Sequence, residues 1–292
     1  MKEGKLGLGS ATLAYLALVA GMAAIGTATQ TANVVGGLWF TEAVAIALPA
    51  VVAMLFARVR LAPYLGFRKA TFAQLGVALA LAAANQPVVS FITWAEHELL
   101  PHAMVADFDA KQKMLDAIFR QNALPMVITV VIAAPLGEEI FFRGFAFPAF
   151  SRTLGVLGGL LLSGACFSFI HLDPVGFLGL MEIGILMAAL RYWSGSIWPA
   201  VLGHAVNNGI AGAAFMMGYE DPDVPPEKWF LALGALLLVA GIALLVRLLR
   251  GPRPAPGEES SPGASRLPHA VVLSVLWALA MAGSVGRLTH RL

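Results

Sequence analysis

The chain has 292 residues, 59% of them hydrophobic and only 12% charged, with a mean hydropathy of +0.79. A soluble domain carries charge on about a quarter of its residues, so this composition excludes a water-soluble globular protein and points to a polytopic membrane protein. A formal net charge of +2 without a dense Lys/Arg cluster argues against a nucleic-acid partner, and the one cysteine, Cys166, rules out a disulfide framework or a thiolate metal site.

The first apolar run, Leu8 to Ala28, is longer than the apolar region of a signal peptide and reads as a retained helix. A second, Val34 to Ala57, and a third, Phe72 to Trp94, are separated by Arg58, Arg60, Arg68 and Lys69, which predicts a cytoplasmic loop there and a cytoplasmic N-terminus. Glu42 lies near the start of the second run and reads as an interfacial residue. Glu96 to Gln121 is a mixed-charge connector long enough for an amphipathic surface helix. Its His97 and His102 are five apart and do not share a helical face, so no metal pair is expected.

Five more apolar segments follow: Leu124 to Phe150, Leu154 to His171, Val175 to Trp193, Ile197 to Met217 and Trp229 to Leu249. Gly251 to Pro268 breaks the pattern with Pro, Gly, Ser and acids, as a solvated linker does. The last run, Ala270 to Val285, is short for a span and is a candidate ninth helix. The expected organisation is an all-α helical membrane bundle over residues 1–250 with its core at 124–217, a polar linker at 251–268, and an additional helix within 269–292.

Charge is costly where it occurs. Pro135-Leu-Gly-Glu138-Glu139-Ile-Phe-Phe-Arg143 places two carboxylates and a guanidinium inside the fourth span. At roughly 2.5 to 3.5 kcal/mol for each ionised side chain at mid-membrane, three cost about 8 to 10 kcal/mol, and the surrounding apolar residues recover only about half. The segment cannot face lipid on all sides. Glu139 and Arg143 are four apart and predict an ion pair within the helix. Glu138 is rotated by about 100° and has no such partner, which makes it a functional candidate.

Two further spans carry polar groups at depth. Phe167-Ser-Phe-Ile-His171 ends the fifth, and His204-Ala-Val-Asn207-Asn208 places His204 and Asn208 on one face of the seventh. A desolvated carboxylate can act as general base toward water, with His171 sharing or orienting that water. His204 and Asn208 supply N–H donors that could hold the oxyanion of a tetrahedral intermediate. The set fits peptide-bond hydrolysis without a covalent enzyme intermediate.

Glu138-Glu139-x-x-x-Arg143, Phe167-x-x-x-His171 and His204-x-x-x-Asn208, in this order on three hydrophobic segments, resemble the CPBP family of intramembrane proteases, which includes CAAX prenyl endopeptidases and bacteriocin-processing or immunity relatives. The resemblance covers Leu124 to Met217. It implies an eight-helix core to which a ninth span would be an addition. It also implies that Glu138 and His171 activate water, that His204 and Asn208 form the oxyanion site, and that Glu139 and Arg143 brace the cavity. The implied partner is a membrane-associated peptide or protein substrate within the bilayer, and no cofactor is implied.

Other mechanisms lack their signatures: there is no His-Glu-x-x-His, no Gly-x-Ser-Gly and no Gly-x-Gly-Asp. Three alternatives stay open at this level. Glu138, His171 and His204 could make a two-histidine, one-carboxylate zinc site, the same groups serve proton-coupled transport, and an immunity or scaffold protein could retain the motifs without catalysis. Glu182 in the sixth span reads as a supporting or substrate-contact residue, and Cys166 as packing. One mismatch needs a structural answer. Glu138 lies about 18 Å from Phe150 whereas His171 lies about 25 Å from Leu154, so the fifth helix is expected to begin beyond the level of its neighbours.

Overall fold

The computed structural model describes residues 6–217 and 226–250; the linker expected at 251–268 and the run at 270–285 lie outside the described residues. Among the described residues the fold is all-α. Helix α1 (Leu8–Ala32) and helix α2 (Val34–Phe56) are separated at Asn33. Its extended backbone breaks the helix, and its side chain accepts the Gly36 N–H at 2.7 Å to start the next one. Helix α3 (Phe72–Leu99) is capped by Thr71, whose hydroxyl accepts from Gln74 N–H while the Gln74 side chain accepts from Thr71 N–H. Helix α4 (His102–Gln121) has no buried residue and lies on the surface, as the mixed-charge connector predicts.

Ala123–Phe169 is helical over 47 residues apart from Gly155, which as a straight rod would be about 70 Å long against a hydrocarbon core of about 30 Å. It doubles back at Gly155, whose φ of 73° lies in the left-handed region that glycine adopts without strain. The Phe142 and Phe167 rings, far apart in sequence, stack edge-on at 5.5 Å. Ser163 Oγ donates to the Phe142 carbonyl at 3.2 Å. Helix α5 (residues 123–154) and helix α6 (residues 156–169) are therefore the arms of an antiparallel hairpin. Helix α7 (Phe177–Ser194) ends at Gly195 in a left-handed C-cap and is followed by helix α8 (Trp198–Met216) and helix α9 (Lys228–Arg250).

The hairpin resolves the axial mismatch. Helix α5 continues four residues past Phe150 before the turn, and Glu139 and His171 then stand an equal 16 residues on either side of Gly155. Both arms extend beyond Phe150, and no displacement of the fifth helix against the fourth is needed. Where α6 crosses α7 the backbones nearly touch: a Cβ on Gly184 would lie 2.7 Å from Gly164 Cα. Such contacts are how membrane helices gain dispersion energy without a hydrophobic drive between them. The centre of the bundle is aromatic, with Phe141, Phe142, Phe145 and Phe167 essentially inaccessible.

Among the described residues six helical segments are long and apolar enough to cross a membrane, the α5–α6 hairpin counted as one: Leu8–Ala32, Val34–Phe56, Phe72–Leu99, Ala123–Phe169, Phe177–Ser194 and Lys228–Arg247. With the all-α bundle they define a multi-pass membrane protein. Helix α8, read as a span in the sequence, is not among them; it carries His204, Asn207 and Asn208, whose side chains find partners on other helices.

Candidate active site

Helix α5 presents Glu138, Glu139 and Arg143 inward. Glu139 and Arg143 have no exposed surface, and Arg143 Nη1 stands 2.9 Å from Glu139 Oε1, an ion pair by distance rather than an aligned hydrogen bond. Arg143 Nη2 donates to the Gly184 carbonyl at 3.0 Å, and the guanidinium lies 4.5 Å from the centre of the Phe167 ring. One cation thus ties α5 to both α6 and α7. A buried charge is tolerated only when paired and hydrogen-bonded, and this arrangement meets the condition.

The same Glu139 Oε1 lies 2.9 Å from His204 Nδ1 on α8. The other ring nitrogen, Nε2, stands 3.6 Å from Glu138 Oε2. Adjacent carboxylates therefore address opposite sides of one imidazole, and Glu138, expected to project away from Glu139, instead faces the same helix. Glu139 Oε1 thus contacts both Arg143 and His204, and a carboxylate at Nδ1 fixes the rotation of the His204 ring.

His171 sits at the end of α6. Its Nδ1 donates to the Phe167 carbonyl at 3.0 Å, which leaves Nε2 as the ring's acceptor. The His171 and His204 rings both pack on Phe167, at 5.1 and 5.6 Å between centroids. Among the described residues His171 makes no hydrogen bond to a carboxylate, so it borders the Glu138–His204 pair rather than joining it. Its own position is held from the surface helix: Lys111 Nζ donates to the His171 carbonyl at 2.9 Å and pairs with Asp173 at 3.1 Å. Leu172, with a φ of 50°, turns the chain sharply there.

Asn208, one turn beyond His204, donates through Nδ2 to the Val130 carbonyl at 2.8 Å, and its Oδ1 accepts from Asn207 at 3.4 Å. Val130 lies in a π-helical turn, Thr129–Ala133, where the widened helix frees carbonyls for other donors. One of the two Asn208 N–H bonds is thus committed and the other is left.

Gln86 and Asn85 escaped the sequence reading, and Glu42 was misread. Glu42 is not interfacial: it is buried against α5, where a Cβ on Gly137 would lie 2.5 Å from Glu42 Oε2. Gln86, where α3 is interrupted, donates to Asn207 Oδ1 at 2.9 Å, extending a line of amides to Asn208. The neighbouring Asn85 donates to Glu182 Oε2 at 2.7 Å, so Glu182, read in the sequence as a supporting or substrate-contact residue, is tied to α3. The only available signal was recurrence of amides in apolar runs, which does not reveal a partner. Among the described residues no three His, Cys, Asp or Glu side chains are grouped to hold a metal ion.

Residues 120–210 match the family model Rce1-like, described as type II CAAX prenyl endopeptidase Rce1-like. The matched segment runs from the end of α4 into α8 and contains Glu138, Glu139, Arg143, His171, His204 and Asn208. It is thus similar to a family of membrane proteases, consistent with the CPBP resemblance of the three motifs. No curated protein matches the chain, and no solved structure does.

Proposed function

We propose that the protein is an intramembrane endopeptidase of the glutamate type, acting on a membrane-associated peptide. The observation that carries this reading is the pair of contacts from Glu138 and Glu139 to the two nitrogens of His204, with His171 against the same Phe167 ring. Glu138 takes a proton from water while His171 Nε2 orients that water, and the hydroxide adds to the scissile carbonyl. With both its nitrogens protonated, His204 gives Nδ1–H to Glu139 and Nε2–H to the oxyanion, joined by the second Asn208 N–H. Collapse of the tetrahedral intermediate breaks the C–N bond, and the proton held by Glu138 passes to the leaving amine. Neither a covalent enzyme intermediate nor a cofactor enters the scheme.

The description of the matched family supports a lipid-modified C-terminal peptide as substrate. The test uses the full chain in liposomes with a farnesylated peptide bearing a three-residue tail, and with its unfarnesylated form. Release of the tail should fall by about 10²- to 10⁴-fold in His171→Ala, and the farnesylated form should be cut preferentially. Wild-type turnover in a His171→Ala, Asn208→Ala double variant would refute the assignment.

A further inference from the structure

At the end of the bundle marked by the Gly155 turn, several segments converge. The Ser196 hydroxyl donates to the Arg68 carbonyl, the Ile197 N–H to the Gly66 carbonyl, and Arg152 Nη1 to the Leu6 carbonyl. Among the described residues, the segments meeting there, 6–10, 56–72, 146–160, 188–202 and 243–250, contain no Asp or Glu. They do contain Arg58, Arg60, Arg68, Lys69, Arg152, Arg191, Arg247 and Arg250. Exposed cations at a membrane face need no further explanation, since retention of basic loops on one side accounts for them.

Arg191 does need one. Its guanidinium lies flat against Gly66: a Cβ there would stand 2.5, 2.6 and 2.7 Å from Nη2, Cζ and Nε. Gly66 has a φ of +78°, so the glycine is required both by its backbone and by the guanidinium lying on it. Arg191 Nε is shielded from solvent without a hydrogen-bond partner, and so is the Tyr64 hydroxyl. Among the described residues neither Arg191 nor Arg68 has an ion-pair partner. Arg152 stacks over the Tyr64 ring at 5.2 Å. Burial pushes the Tyr64 phenol up, against the opposing pull of Arg152 and Arg191, so it remains an O–H donor. The result is a cation with its planar donor edge held in place, a phenol donor and two more cations beside it, and, among the described residues, no anion.

We propose that Arg191, Arg68, Arg152 and Tyr64 form a binding site for a phosphate group. A guanidinium fork matches two phosphate oxygens, and a bidentate contact of this kind is the strongest hydrogen bonding available to Arg. The anion has two sources, the headgroup of an anionic phospholipid or free phosphate. Arg191 is in the last turn of α7, at the end of an apolar span, which is headgroup level. This inference does not depend on the protease reading.

The test is native mass spectrometry and thermal unfolding of the purified full chain with phosphatidylglycerol, with a phosphate-free diacylglycerol glycolipid, and with inorganic phosphate. Phosphatidylglycerol should be retained and should raise the melting temperature, and the glycolipid should not. Arg191→Gln and Arg68→Gln should each weaken that binding by about tenfold, while Lys113→Gln on the far side of the molecule leaves it unchanged. If Arg191→Gln does not fold, the exposed Arg68→Gln decides alone. Phosphatidylglycerol acting without any effect of inorganic phosphate assigns the lipid headgroup; equal action of both, lost in the same variants, assigns free phosphate. Phosphatidylglycerol binding that is the same in Arg68→Gln as in wild type, or absent from wild type, overturns the proposal.

Discussion

Glu139 Oε1 is shared between Arg143 and His204, each at 2.9 Å. Removing the guanidinium would leave a carboxylate with no exposed surface held by the His204 ring alone. Breaking a buried pair in this way costs about 3 to 5 kcal/mol, so Arg143→Met should lower stability by that order in detergent unfolding; an unchanged melting temperature would show that the pair is not structural. Arg143→Lys should recover only part of it, because one nitrogen replaces the separate Nη1 and Nη2 that face Glu139 and the Gly184 carbonyl. The Glu139–Arg143 pair was legible in the sequence because its spacing is local. The Glu139–His204 contact was not, since it joins residues 65 apart. Glu42 was misread for the same reason: from the sequence it is an acid near a helix start, and only the packing of α2 on Gly137 buries it.

Two elements set the geometry. The first is the crossing of α6 and α7, where Gly184→Ala would place a methyl 2.7 Å from Gly164 Cα and 3.3 Å from Phe167 Cδ1. Overpacking of that kind costs about 1 to 3 kcal/mol, and it would move the carbonyl that holds Arg143. Lower thermal stability together with lower turnover is expected, and wild-type values of both would argue against a close crossing. The second is the interrupted α3, whose Gln86 begins the line of amides to Asn208. Gln86→Leu should remove about 0.5 to 1.5 kcal/mol of orientation, seen as a kcat lower by about three- to tenfold at unchanged KM. A change confined to KM would instead put Gln86 in substrate binding. The helices themselves were legible to within a few residues. The hairpin register was not, because helical periodicity does not reveal that Gly155, rather than the stretch after Phe150, makes the turn.

For the whole molecule, the charge asymmetry of the loops predicts which face is cytoplasmic. In a Cys166→Ala background, a cysteine at position 60 should react with an impermeant maleimide from the cytoplasmic side and one at position 113 from the other; labelling of both from one side would contradict this arrangement. The surface helix α4 joins that far face to the site through Lys111, the Asp173 carboxylate and the His171 carbonyl. The three motifs were visible in the sequence because each pairs residues four apart on one helical face, and the fold brings Arg143, His171 and His204 together on Phe167. The central claim is that Glu138 activates water there for peptide hydrolysis. It is tested most directly by Glu138→Gln, purified in full length and assayed in liposomes against the farnesylated peptide. A fall in turnover of at least about 100-fold with an unchanged melting temperature is predicted; undiminished cleavage by the folded variant would contradict the account.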